Sequence, residues 1–280
     1  MAFGIDYAFG FRPDLPEQMA LANVRAVGRY VPYVGDGGKG LTKQEVEAWH
    51  AAGIDIFLYW EVEAARHRGG FAQGQQDAGL CLAAARQLDI PDDVAFFPAV
   101  DFAPGAGDFG PIASYQQGFM SEVGIMRTGI YGNYDVIEYA HDRGLAAFFC
   151  QCVAWSGGKL SPWRHVFQYV GPNIAGLHVD HLEIYGDDFG QWRSNAMLSP
   201  FEIVALFGST ERDDDGNLMP FEFRLQRAKE RMQTAVDSGV SLLEQVGGLK
   251  AKVDSFQVGP PAPLGRVVLT GPLLKSEVVE

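Results

Sequence analysis

Positive charge is what this chain has least of. Its 280 residues carry 22 Lys and Arg against 35 Asp and Glu, a net charge of −13. Phosphate contacts need a basic face and an anionic bilayer attracts basic clusters, so neither nucleic acid nor membrane is expected as a partner. Cysteine is scarce too: Cys81, Cys150 and Cys152 are three, an odd number and too few for a disulfide scaffold. Cys150 and Cys152 have neither the CxxC redox spacing nor a second metal-binding pair, so core thiols are expected. No apolar run reaches the ~18 residues of a membrane-spanning helix. The opening MAFGIDYAFGFRPD has no basic n-region and no apolar stretch, so no signal peptide is expected. Signature loops are missing as well. There is no GxGxxG after the first strand and no GxSxG elbow, and Gly35–Gly40 is followed by Leu41-Thr42 where a phosphate loop needs Lys-Ser/Thr.

What is present fits a folded α/β protein. The hydrophobic fraction is 47% and the charged fraction 20%, enough to bury a full core. Short β-rich runs are predicted at 3–6, 26–31, 54–60, 94–101, 128–131, 147–154, 165–170 and 177–184. Helices are predicted between them at about 14–23, 42–51, 71–88, 111–124 and 133–143, with Thr42-x-x-Glu45 as a capping box. The later strands have loop-like connections, at 155–164 and 171–176. Eight strands alternating with helices predict a (β/α)8 TIM-like barrel over 1–192 in preference to an open doubly wound sheet. A linker with a short helix is expected over 193–220. A heptad register runs through 221–256, with Leu225, Met232, Gly239, Val246 and Val253 at a and Phe221, Ala228, Ala235, Leu242, Leu249 and Phe256 at d. It predicts a coiled coil, weakened by its glycines. The remainder, 257–280, reads as an extended tail that opens on prolines, with a possible strand at 267–269.

In such a barrel the active site lies at the C-terminal ends of the strands. Strand one ends in Asp6, strand three in Tyr59-Trp60-Glu61-Val62-Glu63, strand four in Asp101, and strand eight carries Asp180. Clustered carboxylates repel, which raises at least one pKa and lets one act as acid while another stays ionised, the pairing that glycoside hydrolysis uses. Asp6, Glu61, Asp101 and Asp180 are therefore the candidate catalytic set. Tyr33, Tyr59, Glu63, Tyr131, Gln151, Trp155 and Gln168 are the candidate substrate-binding residues, since aromatics suit the apolar faces of sugars and amides suit their hydroxyls. His178-x-Asp180-His181 does not present all three side chains to one face of a strand, so no metal is expected, and no cofactor.

An ordered series of motifs carries a family resemblance: Gly4-Ile5-Asp6, Phe97-Pro98-Ala99-Val100-Asp101, Gly129-Ile130-Tyr131-Gly132, Val153-Ala154-Trp155, Phe167-Gln168-Tyr169 and Val179-Asp180. Over roughly 3–192 the chain resembles the glycoside-hydrolase-like barrel domains of actinobacteria and their phages, distant relatives of the family 25 lysozymes. The resemblance implies a barrel, a peptidoglycan-like glycan as ligand, and Asp6, Asp101 and Asp180 at the cleft. It also marks a departure. The lysozymes carry Asp-x-Glu at the end of strand four, with that Glu as proton donor, whereas this chain reads Asp101-Phe102-Ala103. Either Glu61 supplies the proton, in the apolar company of Tyr59 and Trp60, or the domain binds glycan without cleaving it. Two roles thus stay open: a phage-type wall hydrolase, as lysin or virion tail component, and an inactive glycan-binding or structural barrel in an oligomeric tail protein. The expected partners are cell-wall glycan, other tail proteins and further copies of the chain, a trimer being favoured through 221–256. The expected place of action is the bacterial cell wall.

Overall fold

The computed structural model describes residues 2–194, with Met219, Phe223, Gln226 and Arg227 and two short strands further on. Eight strands form one sheet: β1 (Ala2–Asp6), β2 (Ala26–Tyr30), β3 (Asp55–Trp60), β4 (Phe96–Pro98), β5 (Gly129–Gly132), β6 (Phe148–Cys152), β7 (Val166–Val170) and β8 (Asp180–Ile184). Five helices connect the first six: α1 (Leu15–Leu21), α2 (Lys43–Ala51), α3 (Gly70–Leu88), α4 (Phe109–Val123) and α5 (Tyr134–Asp142). The strand order is β4-β3-β2-β1-β8-β7-β6-β5. Isolated parallel bridges, Phe96 to Thr128 and Ala99 to Tyr131, bring β4 to β5 and nearly close the sheet into a barrel. Pro98 in β4 lacks the N–H a ladder needs, which keeps that strand short.

The regular (β/α)8 expectation is corrected in two respects. No helix follows β6 or β7, and β8 runs antiparallel to both of its neighbours, β7 and β1. Only Gly171–Val179 separates β7 from β8. A parallel crossover needs about a dozen residues or more, so this loop permits only a reversal. The strand expected at 267–269 is present as β9 (Val267–Thr270), paired antiparallel with β10 (Lys275–Val278). The coiled-coil reading of 221–256 and the short helix of 193–220 lie outside the described residues.

Strand periodicity divides the core into two faces. Inside the barrel, Phe57, Tyr59, Phe97, Tyr131, Cys150 and Leu182 belong to one buried cluster. Outside it, Ile5, Val27, Ile56 and Leu58 pack against Leu15, Met19, Val46 and Trp49 of the surrounding helices. All three cysteines are free and buried, with Cys150 and Cys152 inside the barrel.

Between β2 and α2 lies a charged fastener. Arg29 and Glu45 are both fully buried, with Nε 2.5 Å from Oε1. The Tyr7 hydroxyl and the Trp49 indole N–H also donate to Oε1 of Glu45, at 2.6 and 3.2 Å. Arg29 further donates to the carbonyls of Tyr7 and Lys39. Breaking one side of such a buried pair leaves an uncompensated charge, at a cost of about 3–5 kcal/mol. The fastener fixes the loops that follow β1 and β2, both of which reach the rim.

Candidate active site

Asp6 ends β1 and Asp180 begins β8, and the antiparallel register sets them directly opposite each other. Asp6 is only 2% exposed. Its Oδ2 accepts from Gln168 Nε2 at 2.8 Å and from the Tyr59 hydroxyl at 3.3 Å. Burial first, and the Asp180 carboxylate second, push its pKa from 3.8 up to about 7, against the pull of these two donors and of Arg29. Gly28 on the neighbouring strand makes this crowding possible: a Cβ there would sit 2.8 Å from Asp6 Cβ and 2.7 Å from a Tyr59 ring carbon.

Above Asp6 opens a cavity of about 270 Å³. Glu61, Asp101 and Asp180 supply its acids, Tyr30, Tyr59, Tyr131 and Tyr169 its aromatics, and Gln168 its amide. Burial raises the pKa of Asp101, reinforced by Glu61 and opposed by Lys39. Burial also raises that of Asp180, opposed by His178 and His181. The volume lies just below the ~300 Å³ at which ligand pockets usually begin, so the cavity takes about one sugar ring and a polymer must continue across the rim.

Of the sequence-derived candidates, Asp6, Glu61, Asp101, Asp180, Tyr59, Tyr131 and Gln168 come together here. Glu61 sits in a different setting from the apolar one its neighbours suggest: its Oε1 is 3.4 Å from the Lys39 ammonium, which also lies 4.4 Å from the Tyr30 ring centre. Glu63 is exposed and faces Arg66 at 3.5 Å. Tyr33 lies in a separate groove with Val62, Arg66 and Leu80. Gln151 is fully buried and points away from the barrel interior. Its amide bonds Ser156 Oγ, the Lys159 carbonyl and the Ser161 N–H, holding the loop after β6. Trp155 is exposed at the rim with φ 55°, its carbonyl accepting from Asn133 Nδ2 at 3.2 Å. Ala103 is exposed and carries no acid. Gly28, Tyr30 and Lys39 are not among the sequence-derived candidates, and Tyr169, named in the Phe167-Gln168-Tyr169 motif, had no site role assigned. A glycine inside a strand was the signal available for Gly28.

Fold and cleft together define a glycoside-hydrolase-like barrel with a carboxylate-lined pocket at one rim. The chain belongs to the family described as Rv2525c-like, glycoside hydrolase-like domain, whose match spans residues 17–183. A relative from Mycobacterium tuberculosis, named "Putative peptidoglycan hydrolase Rv2525c", is 26% identical over 201 residues, covering 67% of this chain and 82% of its own. The crystal structure of that Tat-secreted protein in complex with L-tartrate superposes with a TM-score of 0.63, covering 68% of this chain and 98% of that one. An uncharacterised B. stearothermophilus protein, 18% identical, shares the fold at a TM-score of 0.51, covering 66% of this chain and 96% of its own. A glycosyl hydrolase 25 of Streptococcus pneumoniae, 17% identical, overlaps at 0.47, covering 67% and 88%.

Proposed function

We propose that this barrel hydrolyses a glycosidic bond of peptidoglycan in the cleft bounded by Asp180, Asp101 and Glu61. The observation that carries the reading is the division of labour among the acids. Asp6, with a pKa of about 7, keeps a proton available near neutrality, while Asp101 and Glu61 flank the same cavity. General acid catalysis works best with an acid whose pKa lies near the operating pH. In this scheme Asp180, which lines the cavity, passes the proton of the Asp6–Asp180 pair to the leaving oxygen as the carbon–oxygen bond breaks. Asp101 accepts a proton from the attacking water, whose oxygen bonds the anomeric carbon. The Asp6–Asp180 pair thus takes the place of the donor absent at Ala103, and Glu61 with Lys39 orders the far side of the ring.

The test is release of new reducing ends from purified bacterial cell walls. Activity in the wild type, lost in Asp101→Asn and Asp180→Asn, supports hydrolysis. Glycan binding without new reducing ends would establish the non-cleaving barrel instead. Delivery is proposed on sequence grounds: a phage-type lysin or tail-borne protein acting at the wall, assembled through the heptads of 221–256.

A further inference from the structure

Asp6 can carry its proton on either carboxyl oxygen, and its hydrogen bonds distinguish the two. The two donors, Gln168 Nε2 at 2.8 Å and the Tyr59 hydroxyl at 3.3 Å, both go to Oδ2. Among the described residues no side-chain donor reaches Oδ1. An oxygen that already accepts two hydrogen bonds is a poor place for a proton, because the incoming hydrogen must displace a donor. The remaining oxygen belongs to a carboxyl whose cross-strand partner is Asp180.

What keeps Gln168 donating is its other end. The Tyr131 hydroxyl donates to Gln168 Oε1 at 2.6 Å. A side-chain amide has one accepting and one donating end, so with the Tyr131 hydroxyl hydrogen on Oε1 the end that faces Asp6 is Nε2. The chain Tyr131–Gln168–Asp6–Tyr59 thus crosses the barrel interior from β5 through β7 and β1 to β3. Asp180 from β8, Arg29 and Tyr30 from β2, Tyr59 from β3, Tyr131 from β5 and Cys150 from β6 are the charged and titratable groups that act on Asp6 or feel it.

We propose that Gln168 is a positioning residue: with its amide orientation locked by Tyr131, it saturates Oδ2 of Asp6 and confines the Asp6 proton to Oδ1, the oxygen left for Asp180. This assigns Gln168 and Tyr131 a task beneath the cavity floor, in addition to any contact with sugar. It rests on the proposed hydrolysis for its purpose, though its test needs no substrate.

The experiment is a pH titration of the Asp6 side-chain carboxyl by carbon-13 NMR on the full chain, with Asp6→Asn supplying the assignment. The decisive variant is Tyr131→Phe, which removes one oxygen and touches no atom of Asp6. Freed from its lock, the Gln168 amide turns Oε1 toward Asp6 and accepts the carboxyl proton, so the Asp6 midpoint rises. Gln168→Leu removes the donor outright and raises the midpoint by about one pH unit, tenfold in proton affinity. A Tyr131→Phe midpoint equal to that of the wild type, or lowered, overturns the proposal, whether or not Gln168→Leu folds. If both midpoints rise while the wild type releases no reducing ends from cell walls, the hydrolase reading fails and the positioning role stands.

Discussion

Replacing Asp6 with Asn should make the protein more stable and, on the proposed mechanism, inactive. The free carboxyl titrates near 3.8, whereas in the fold its proton is held up to about 7. Between those values the native state binds a proton that the unfolded chain releases. Native stability therefore falls as pH rises through this window, by roughly 4 kcal/mol in full. Asn is close in shape to protonated Asp. Its carbonyl can accept from Gln168 and Tyr59, and its amide can donate toward Asp180, so the variant keeps the bonds and sheds the ionisation cost.

In the wild type this effect should be masked, because a second buried group titrates the opposite way. His67 is 1% exposed, neither ring nitrogen has a hydrogen-bond partner among the described residues, and its ring centre lies 4.1 Å from that of Tyr115. Burial pushes its pKa from 6.5 down to about 3, with Asp77 opposing. The unfolded chain takes up that proton first, so stability is lost as pH falls from 6.5 toward 3, by roughly 5 kcal/mol in full. Over the middle of the range the two slopes nearly cancel. The difference between Asp6→Asn and the wild type isolates Asp6. Urea midpoints measured at half-unit steps from pH 3.5 to 8.5 should show it rising from near zero to about 3–4 kcal/mol. A difference that stays flat with pH, or a variant less stable than the wild type at pH 8, would refute the reasoning.

Other consequences can be measured alongside. His67→Phe should hold neutral-pH stability within about 1 kcal/mol, since no hydrogen bond to a described residue is lost, and should abolish the acid-side loss in the same melts. Glu45→Ala should cost about 3–5 kcal/mol by leaving Arg29 buried and unpaired, read as a lower denaturation midpoint. Asp101→Asn should abolish wall degradation with the circular dichroism spectrum and melting temperature preserved; undiminished activity would remove Asp101 from the mechanism. The full chain should sediment as a homo-oligomer, and Leu242→Asp with Leu249→Asp should dissociate it without melting the barrel. A monomeric wild type at micromolar concentration would end the tail-component reading and favour a diffusing lysin.

Element identity was legible because it is local. The helix α2 begins where Thr42 and Glu45 announced it, with Thr42 Oγ1 accepting from the Glu45 N–H at 3.2 Å. Yet the Glu45 side chain does not complete the box; it is spent on Arg29, a partner 16 positions away that no local pattern names. Parity explains the divided fate of the glutamines. Gln151 and Gln168 look alike as polar residues in apolar strands, but Cys150 and Cys152 take the inward positions of β6, which turns Gln151 outward, while Gln168 faces in. Lys39 was hidden for another reason: a glycine-rich loop gives no periodicity from which to place a side chain, and long-range partners, among them Arg29 at its carbonyl and Glu61 at its ammonium, hold it at the rim.

The direction of β8 was invisible to alternation, since inward and outward residues alternate identically whichever way a strand runs, but it decides which acids meet at the rim. Asp180 is the first residue of its strand. In a parallel eighth strand that position would lie at the bottom of the barrel, far from the ends of β1, β3 and β4. The short Gly171–Val179 connection forces the reversal, and the reversal carries Asp180 to the rim and into register with Asp6. The acid pair is thus a product of topology more than of any motif. With Ala103 in the loop beyond Asp101, the proposed mechanism draws its proton from across the β1–β8 ladder instead of from the strand-four position of the lysozyme pattern. On the proposed mechanism, the donor missing at Ala103 is replaced because two strands of opposite direction bring Asp6 and Asp180 face to face and bury Asp6.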